Sequence, residues 1–211
     1  MLIYIDLQSF ILPLAFYLLF MALTPGPNNT LLLAAGANFS PRRLLPQIMG
    51  ILAGDTAIVF ISGLGLGVLF ETAPFAQWTL KIAGTIFIGY LAVKLLADDP
   101  AGSSSPNGRP TAPGKDLKPM SFPVSAAIQF VNIKLWAATM AGIAAYVPEG
   151  PGYWPRLCAY ALLVVLTVAP SCLVWGLGGA FIKKWSPGSI KLVNRTLAVL
   201  LLLSIAGFYI Y

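Results

Sequence analysis

The chain has 211 residues, 58% of them hydrophobic and only 9% charged, with thirteen Lys and Arg against seven Asp and Glu. A soluble domain carries about 25% charged residues and must wet its surface, so this deficit excludes an ordinary soluble enzyme and points to a lipid-facing exterior. Histidine is absent, which removes His-based triads and His-bearing zinc sites, and two cysteines, Cys158 and Cys172, are too few for a disulfide framework.

The first residues, Met1 to Asp6, lack the positive stretch of a removable signal peptide, so none is expected. A membrane-spanning helix needs roughly 20 mostly apolar residues. The first such segment, 8–36, contains Thr24-Pro25-Gly26-Pro27-Asn28-Asn29. Two prolines around a glycine break a helix, and broken backbone at membrane depth survives only where protein or water covers it. The half-helix after the break offers an N-terminus, a natural seat for a carboxylate, and two amide side chains follow at once. A proline kink capped by asparagine is the plainer alternative.

The second segment, 45–70, carries Gly50-x-x-x-Gly54, Asp55 and Gly63-x-Gly-x-Gly67. The last of these lacks the strand–turn–helix context of a dinucleotide site and reads as close helix packing. Gly50-x-x-x-Gly54 fits a dimer face or packing within one chain equally well. Asp55 is the most interior acid; it is a candidate to pair with a lysine, bind an ammonium or carry a coupling proton, or else simply to be reached by water. The third segment is 76–97. Residues 98–120, rich in Pro, Gly and Ser, read as a flexible linker.

The fourth segment, 121–147, holds Gln129, Asn132 and Lys134 on adjacent turns. A lysine near the middle of a span is a functional candidate by default, to pair with a substrate carboxylate or with Asp55; the alternative is a lysine that snorkels to the interface. The fifth segment, 154–182, contains both cysteines and Gly176-Leu-Gly178-Gly179, and the sixth is 190–211.

Together these predict an all-α integral membrane protein with six transmembrane helices, 1–97 and 121–211 forming two inverted three-helix repeats with interrupted first and fourth helices around the cytoplasmic linker 98–120. The glycine-rich stretches of the second and fifth segments echo each other at nearly the separation of the two breaks. Inverted repeats place a transport site at their interface near the midplane. Ten Lys and Arg fall at the odd-numbered loops and flanks against two, Lys81 and Arg156, at the even ones, which puts the odd loops in the cytoplasm and both termini in the periplasm. The expected substrate-binding set is Pro25, Gly26, Pro27, Asn28, Asn29, Gln129, Asn132 and Lys134, with Asp55 the coupling candidate. No metal or cofactor is expected.

On Thr24 to Asn29, Gly50-x-x-x-Gly54, Ser121-Phe122 and Gln129-Phe-Val-Asn132-Ile133-Lys134, the chain resembles the lysine/homoserine/threonine-exporter family of bacterial amino-acid exporters over nearly its whole length. The likeness is greatest to the subgroup that exports cysteine and O-acetylserine. The broader family has Asn-Pro-Lys where Ile133 stands here, while Asp55 follows the broader family. The resemblance implies proton-driven, alternating-access export of a small amino acid from a bacterial inner membrane, with homoserine, threonine or lysine as alternative substrates. Its partners would be that amino acid and the lipid bilayer, not nucleic acid, with a homodimer as a candidate assembly, and it would not be an enzyme. A membrane thiol–disulfide shuttle is the competing class. It needs two cysteines able to meet, whereas Cys158 and Cys172 share one segment, where a straight helix holds them roughly 21 Å apart. A passive channel fits poorly with a central lysine that would retain its solute.

Overall fold

The computed structural model describes residues 7–66, 74–97, 120–185 and 190–210. Among them the chain is helical nearly throughout, with no strand. The predicted linker lies, apart from Met120, outside the described residues.

A π-helical turn, Leu7–Ile11, leads into α1 (Leu12–Leu23). Proline disfavours helical backbone in the residue before it. Thr24, before Pro25, is accordingly extended at φ −64° and ψ 138°, and Gly26, before Pro27, at φ −170° and ψ 177°. Pro27 then opens α2 (Pro27–Asn38), where a missing N–H costs nothing. The two half-helices meet at 57°. A 3₁₀ turn, Pro41–Leu44, precedes α3 (Leu45–Ile61), which continues into a π-helical turn, Ser62–Leu66. α4 is Pro74–Ala97. α5 (Phe122–Phe130) and α6 (Ile133–Tyr146) form a second bent pair, at 64°. α7 (Tyr153–Trp185) runs 33 residues, continuous across Pro170, and α8 is Ile190–Ile210.

The six expected segments are thus matched by helices or bent pairs within a few residues of their ends, save that the end of the second, at 70, lies outside the described residues. Pro41–Gly65 and Tyr153–Trp185 are each long and apolar enough to cross a membrane, and each bent pair meets the same test as a unit. Lys81–Val93 and Asn194–Leu203 are shorter apolar stretches of α4 and α8. Phe16, Phe20, Ile86 and Trp185 are 70%, 67%, 68% and 72% exposed, within a broad apolar exterior that also takes in Leu162, Leu166 and Phe181. Water does not tolerate such a surface on a monomer; a bilayer does.

The helices pair across the middle of the chain. α1 and α2 lie on α7, α3 lies on α5 and α7, and α4 lies on α8. Among the described residues, each of the three buried clusters draws residues from both halves. Small residues bring the backbones together, as membrane helix packing requires. A Cβ on Gly36 of α2 would collide with the Gly176 carbonyl of α7, and one on Gly179 with the Leu33 carbonyl of α2. Gly50 and Gly54 likewise face Phe122, Ala126 and Gln129 of α5, so Gly50-x-x-x-Gly54 packs within this chain. Gly63 sits against the Leu157 side chain, and its carbonyl accepts the Tyr153 hydroxyl.

Candidate functional site

The last carbonyls of α1 have no amide four residues on to take them. Side chains from three other elements do so. Lys134, the second residue of α6, reaches from the other half of the chain. Its Nζ lies 2.7 Å from Thr24 Oγ1, 3.0 Å from the Thr24 carbonyl and 3.2 Å from that of Met21, with the Pro25 carbonyl at 3.5 Å. The negative end of the α1 dipole favours a cation here. Gly26 permits the approach: a Cβ there would lie 3.3 Å from both Cδ and Nζ of Lys134. Its extended backbone suits any residue, so the glycine is needed for space. Asn29 Nδ2 donates back to the carbonyls of Ala22 (2.7 Å) and Thr24 (2.8 Å), and Ser171 Oγ of α7 donates to Ala22 (2.8 Å).

The second break contains no proline. Val131 and Asn132 close α5 with N–H bonds to Ile128 and Gln129, both 3.1 Å. Asn132 then caps α6, its side chain accepting the Leu135 N–H at 3.4 Å, and the Trp136 indole donates to the Phe130 carbonyl at 3.0 Å. An amide pair ties the two breaks together. Asn28 Nδ2 donates to Gln129 Oε1 at 2.7 Å, and Gln129 Nε2 donates to Asn28 Oδ1 at 3.2 Å and to the Ser125 carbonyl at 2.9 Å.

Between the breaks lies a cavity with about 680 Å³ of space free of protein atoms, its open mouth included. Gly26, Pro27, Asn28, Asn29, Asp55, Asn132 and Lys134 all line it, so seven of the nine residues singled out in the sequence come together. Gln129 stands behind the wall, buried, and holds Asn28; Pro25 is exposed, and only its carbonyl turns inward. The backbone amides of Asn28 and Asn29, in the first turn of α2, have no intrahelical acceptor. Asp55 is 3% exposed, and its Oδ1 has no hydrogen-bond partner. Of the two partners open to Lys134 in the sequence, a substrate carboxylate or Asp55, the second is not taken up here: no ion pair joins them, and the ammonium is occupied by the carbonyl end of α1.

Thr24, Ser171, Tyr160, Cys172 and Thr139 were not anticipated. Thr24 had a signal, a hydroxyl immediately before Pro-Gly-Pro, and Ser171 had one beside Pro170. The other three are cavity-lining residues from α6 and α7 that only packing reveals. Both cysteines are free and lie on the one helix α7, Cys158 exposed and Cys172 buried. Among the described residues no three His, Cys, Asp or Glu cluster as a metal site would need.

The family described as LysE type translocator matches residues 19–211. The cysteine/O-acetylserine efflux protein of Escherichia coli strain K12 is 28% identical over 190 residues, covering 88% of this chain and 90% of that one. The protein of the same name from Shigella sonnei strain Ss046 is similar to the same extent. No solved structure matches the chain.

Proposed function

The chain belongs to the LysE family of translocators, and from that premise we propose that it is a secondary exporter of small neutral amino acids in the bacterial inner membrane, with cysteine and O-acetylserine the first substrates to try. The relatives' names support the substrate class. The observation that carries the reading is one cavity lined both by a half-helix N-terminus and by a buried carboxylate without a partner on Oδ1. A zwitterion is the ligand with complementary ends. Its carboxylate seats on the amides of Asn28 and Asn29 at the positive end of α2. The side-chain amides of Asn28 and Asn132 orient it, and Asp55 supplies the negative charge that balances the cations of the cavity and carries the coupling proton. The apolar remainder of the cavity, from Leu18, Tyr160, Val164 and Val168, suits a short uncharged side chain.

Six spans in two inverted repeats, working by alternating access, follow from the same reading. Exchanging first with fourth, second with fifth and third with sixth turns the pairing of first and fifth into that of fourth and second, and leaves the third–sixth pairing unchanged. The observed contacts have this form. The distribution of Lys and Arg supports a periplasmic position for both termini. A homodimer would need a face other than Gly50-x-x-x-Gly54, which α5 covers.

The test is export. Cells making the protein are loaded with dipeptides, and amino acids in the medium are quantified. Wild type is expected to release cysteine or O-acetylserine, and Asp55→Asn at equal membrane abundance at least about tenfold less, the loss of one charge-assisted contact. Release of a different amino acid would reassign the substrate. No release from a broad panel would end the exporter reading, and undiminished release by Asp55→Asn would remove Asp55 from the mechanism.

A further inference from the structure

We propose that the carbonyl end of α1 is a binding site for a primary ammonium group, occupied in turn by Lys134 and by the α-ammonium of the transported amino acid. The second part rests on the exporter reading; the first does not.

A primary ammonium has three N–H donors. Thr24 Oγ1 and the carbonyls of Thr24 and Met21 present three acceptors to Lys134 Nζ, at 2.7, 3.0 and 3.2 Å, all within ordinary hydrogen-bond range, while the Pro25 carbonyl at 3.5 Å lies beyond it. The match in number and length is to an ammonium. The cage also does not depend on its occupant. Asn29 holds the Ala22 and Thr24 carbonyls, Ser171 holds Ala22, and Thr24 Oγ1 is itself anchored to the Met21 carbonyl at 2.8 Å. Withdrawal of Lys134 therefore leaves a formed site at the negative end of a helix dipole. Met21, Ala22 and Gly26 line the cavity, so the site opens where a substrate would enter.

Lys134 has somewhere to go. Its four-carbon stem is flexible, and Asp55 lines the same cavity with an unpartnered carboxylate oxygen. As a tethered competitor, Lys134 fills the site at an effective concentration in the millimolar range. A simple amine must overcome that competition alone. An amino acid adds a second contact, because Pro25 and Gly26 place the amide end of α2 next to the carbonyl end of α1. The site thus selects a molecule with ammonium and carboxylate on neighbouring atoms, and Lys134 closes it when none is present.

The test uses the full chain in lipid nanodiscs. Melting temperature is followed against methylammonium chloride, with tetramethylammonium chloride, which has the charge but no N–H, as control. Lys134→Met is expected to gain a saturable stabilisation from methylammonium only. Wild type, its site filled, is expected to show none over the same range, and Lys134→Met with Thr24→Val to lose the response. An equal response to both salts, or none, in a folded Lys134→Met would show that Lys134 is only a structural latch and overturn the proposal. Should Lys134→Met fail to fold, wild type carrying ¹⁵N-labelled lysine decides. High methylammonium, but not tetramethylammonium, must shift the Lys134 Nζ resonance, and an unmoved resonance overturns the proposal. Alkylammonium binding without amino-acid export would keep the site and remove its transport role. Export without alkylammonium binding would keep the exporter and refute the site.

Discussion

The two helix breaks reach nearly the same bend by different means. The first, between α1 and α2, contains Pro25 and Gly26 with Pro27 directly after it and bends 57°; the second, between α5 and α6, has neither proline nor glycine and bends 64°. Proline number therefore does not set the angle. What two prolines in three residues do is weight the chain against the straight alternative, since helical backbone at Thr24 and Gly26 would crowd the rings of Pro25 and Pro27, and neither proline has an N–H to give a carbonyl of α1. Val131 and Asn132 are under no such restraint, and their break is maintained by side chains: the Asn132 cap, the Trp136 indole and the Gln129 amide. One break is permanent and the other conditional. The permanent one also exposes more unsatisfied carbonyl, and takes up Lys134, Asn29 and Ser171 to cover it.

The largest effect expected from breaking this arrangement comes from Gln129, which links the two sides. Gln129→Leu keeps the volume but leaves both ends of the partly buried Asn28 amide without their partner. Loss of such bonds costs about 2–3 kcal/mol. Export is expected to fall at least about tenfold and the melting temperature to drop in the same variant. If both stay at wild-type values, the breaks are not coupled through this pair.

Trp136→Phe sharpens the contrast on the conditional side alone. It removes the donor to the Phe130 carbonyl while keeping an aromatic ring in the core. A stability loss of about 1–2 kcal/mol is expected, with export reduced only a few-fold, because Trp136 does not line the cavity. A loss of export larger than the loss of stability would mean that the second break sets the transport geometry directly.

The two breaks also differed in how well the sequence announced them. Pro-Gly-Pro declares the first by covalent geometry, and its position, its half-helix N-terminus and most of its cavity residues could be read from the chain. The second was legible only as a polar cluster, Gln129, Asn132 and Lys134, at the corresponding place in the other half. What could not be read was direction. A lysine and an aspartate inside apolar segments invite pairing, yet Lys134 turns to the carbonyls of α1, because a broken helix offers acceptors that no residue letter encodes. In the same way, Gly50-x-x-x-Gly54 announces a close contact without naming the helix that fills it. Tyr160 and Thr139 meet the cavity through packing of α6 and α7, which periodicity alone does not specify.

The smallest expected effect is the most informative about permanence. Ile133→Pro writes into the second break the restraint that the first already has. Position 133 opens α6, where the N–H has no intrahelical partner and proline is favoured. Asn132 before it is already extended, at φ −86° and ψ 91°, the kind of backbone that a residue preceding proline prefers. The cost is limited to part of the contact that Ile133 makes with the cluster around Leu31 and Ile88, about 1 kcal/mol. If the second break remains bent throughout transport, Ile133→Pro should fold normally and export within about threefold of wild type. A well-folded Ile133→Pro protein that exports tenfold less would mean that α5 and α6 straighten at some stage. The side-chain restraints of the second break would then be there to be released, and its lack of proline would be a requirement of the cycle.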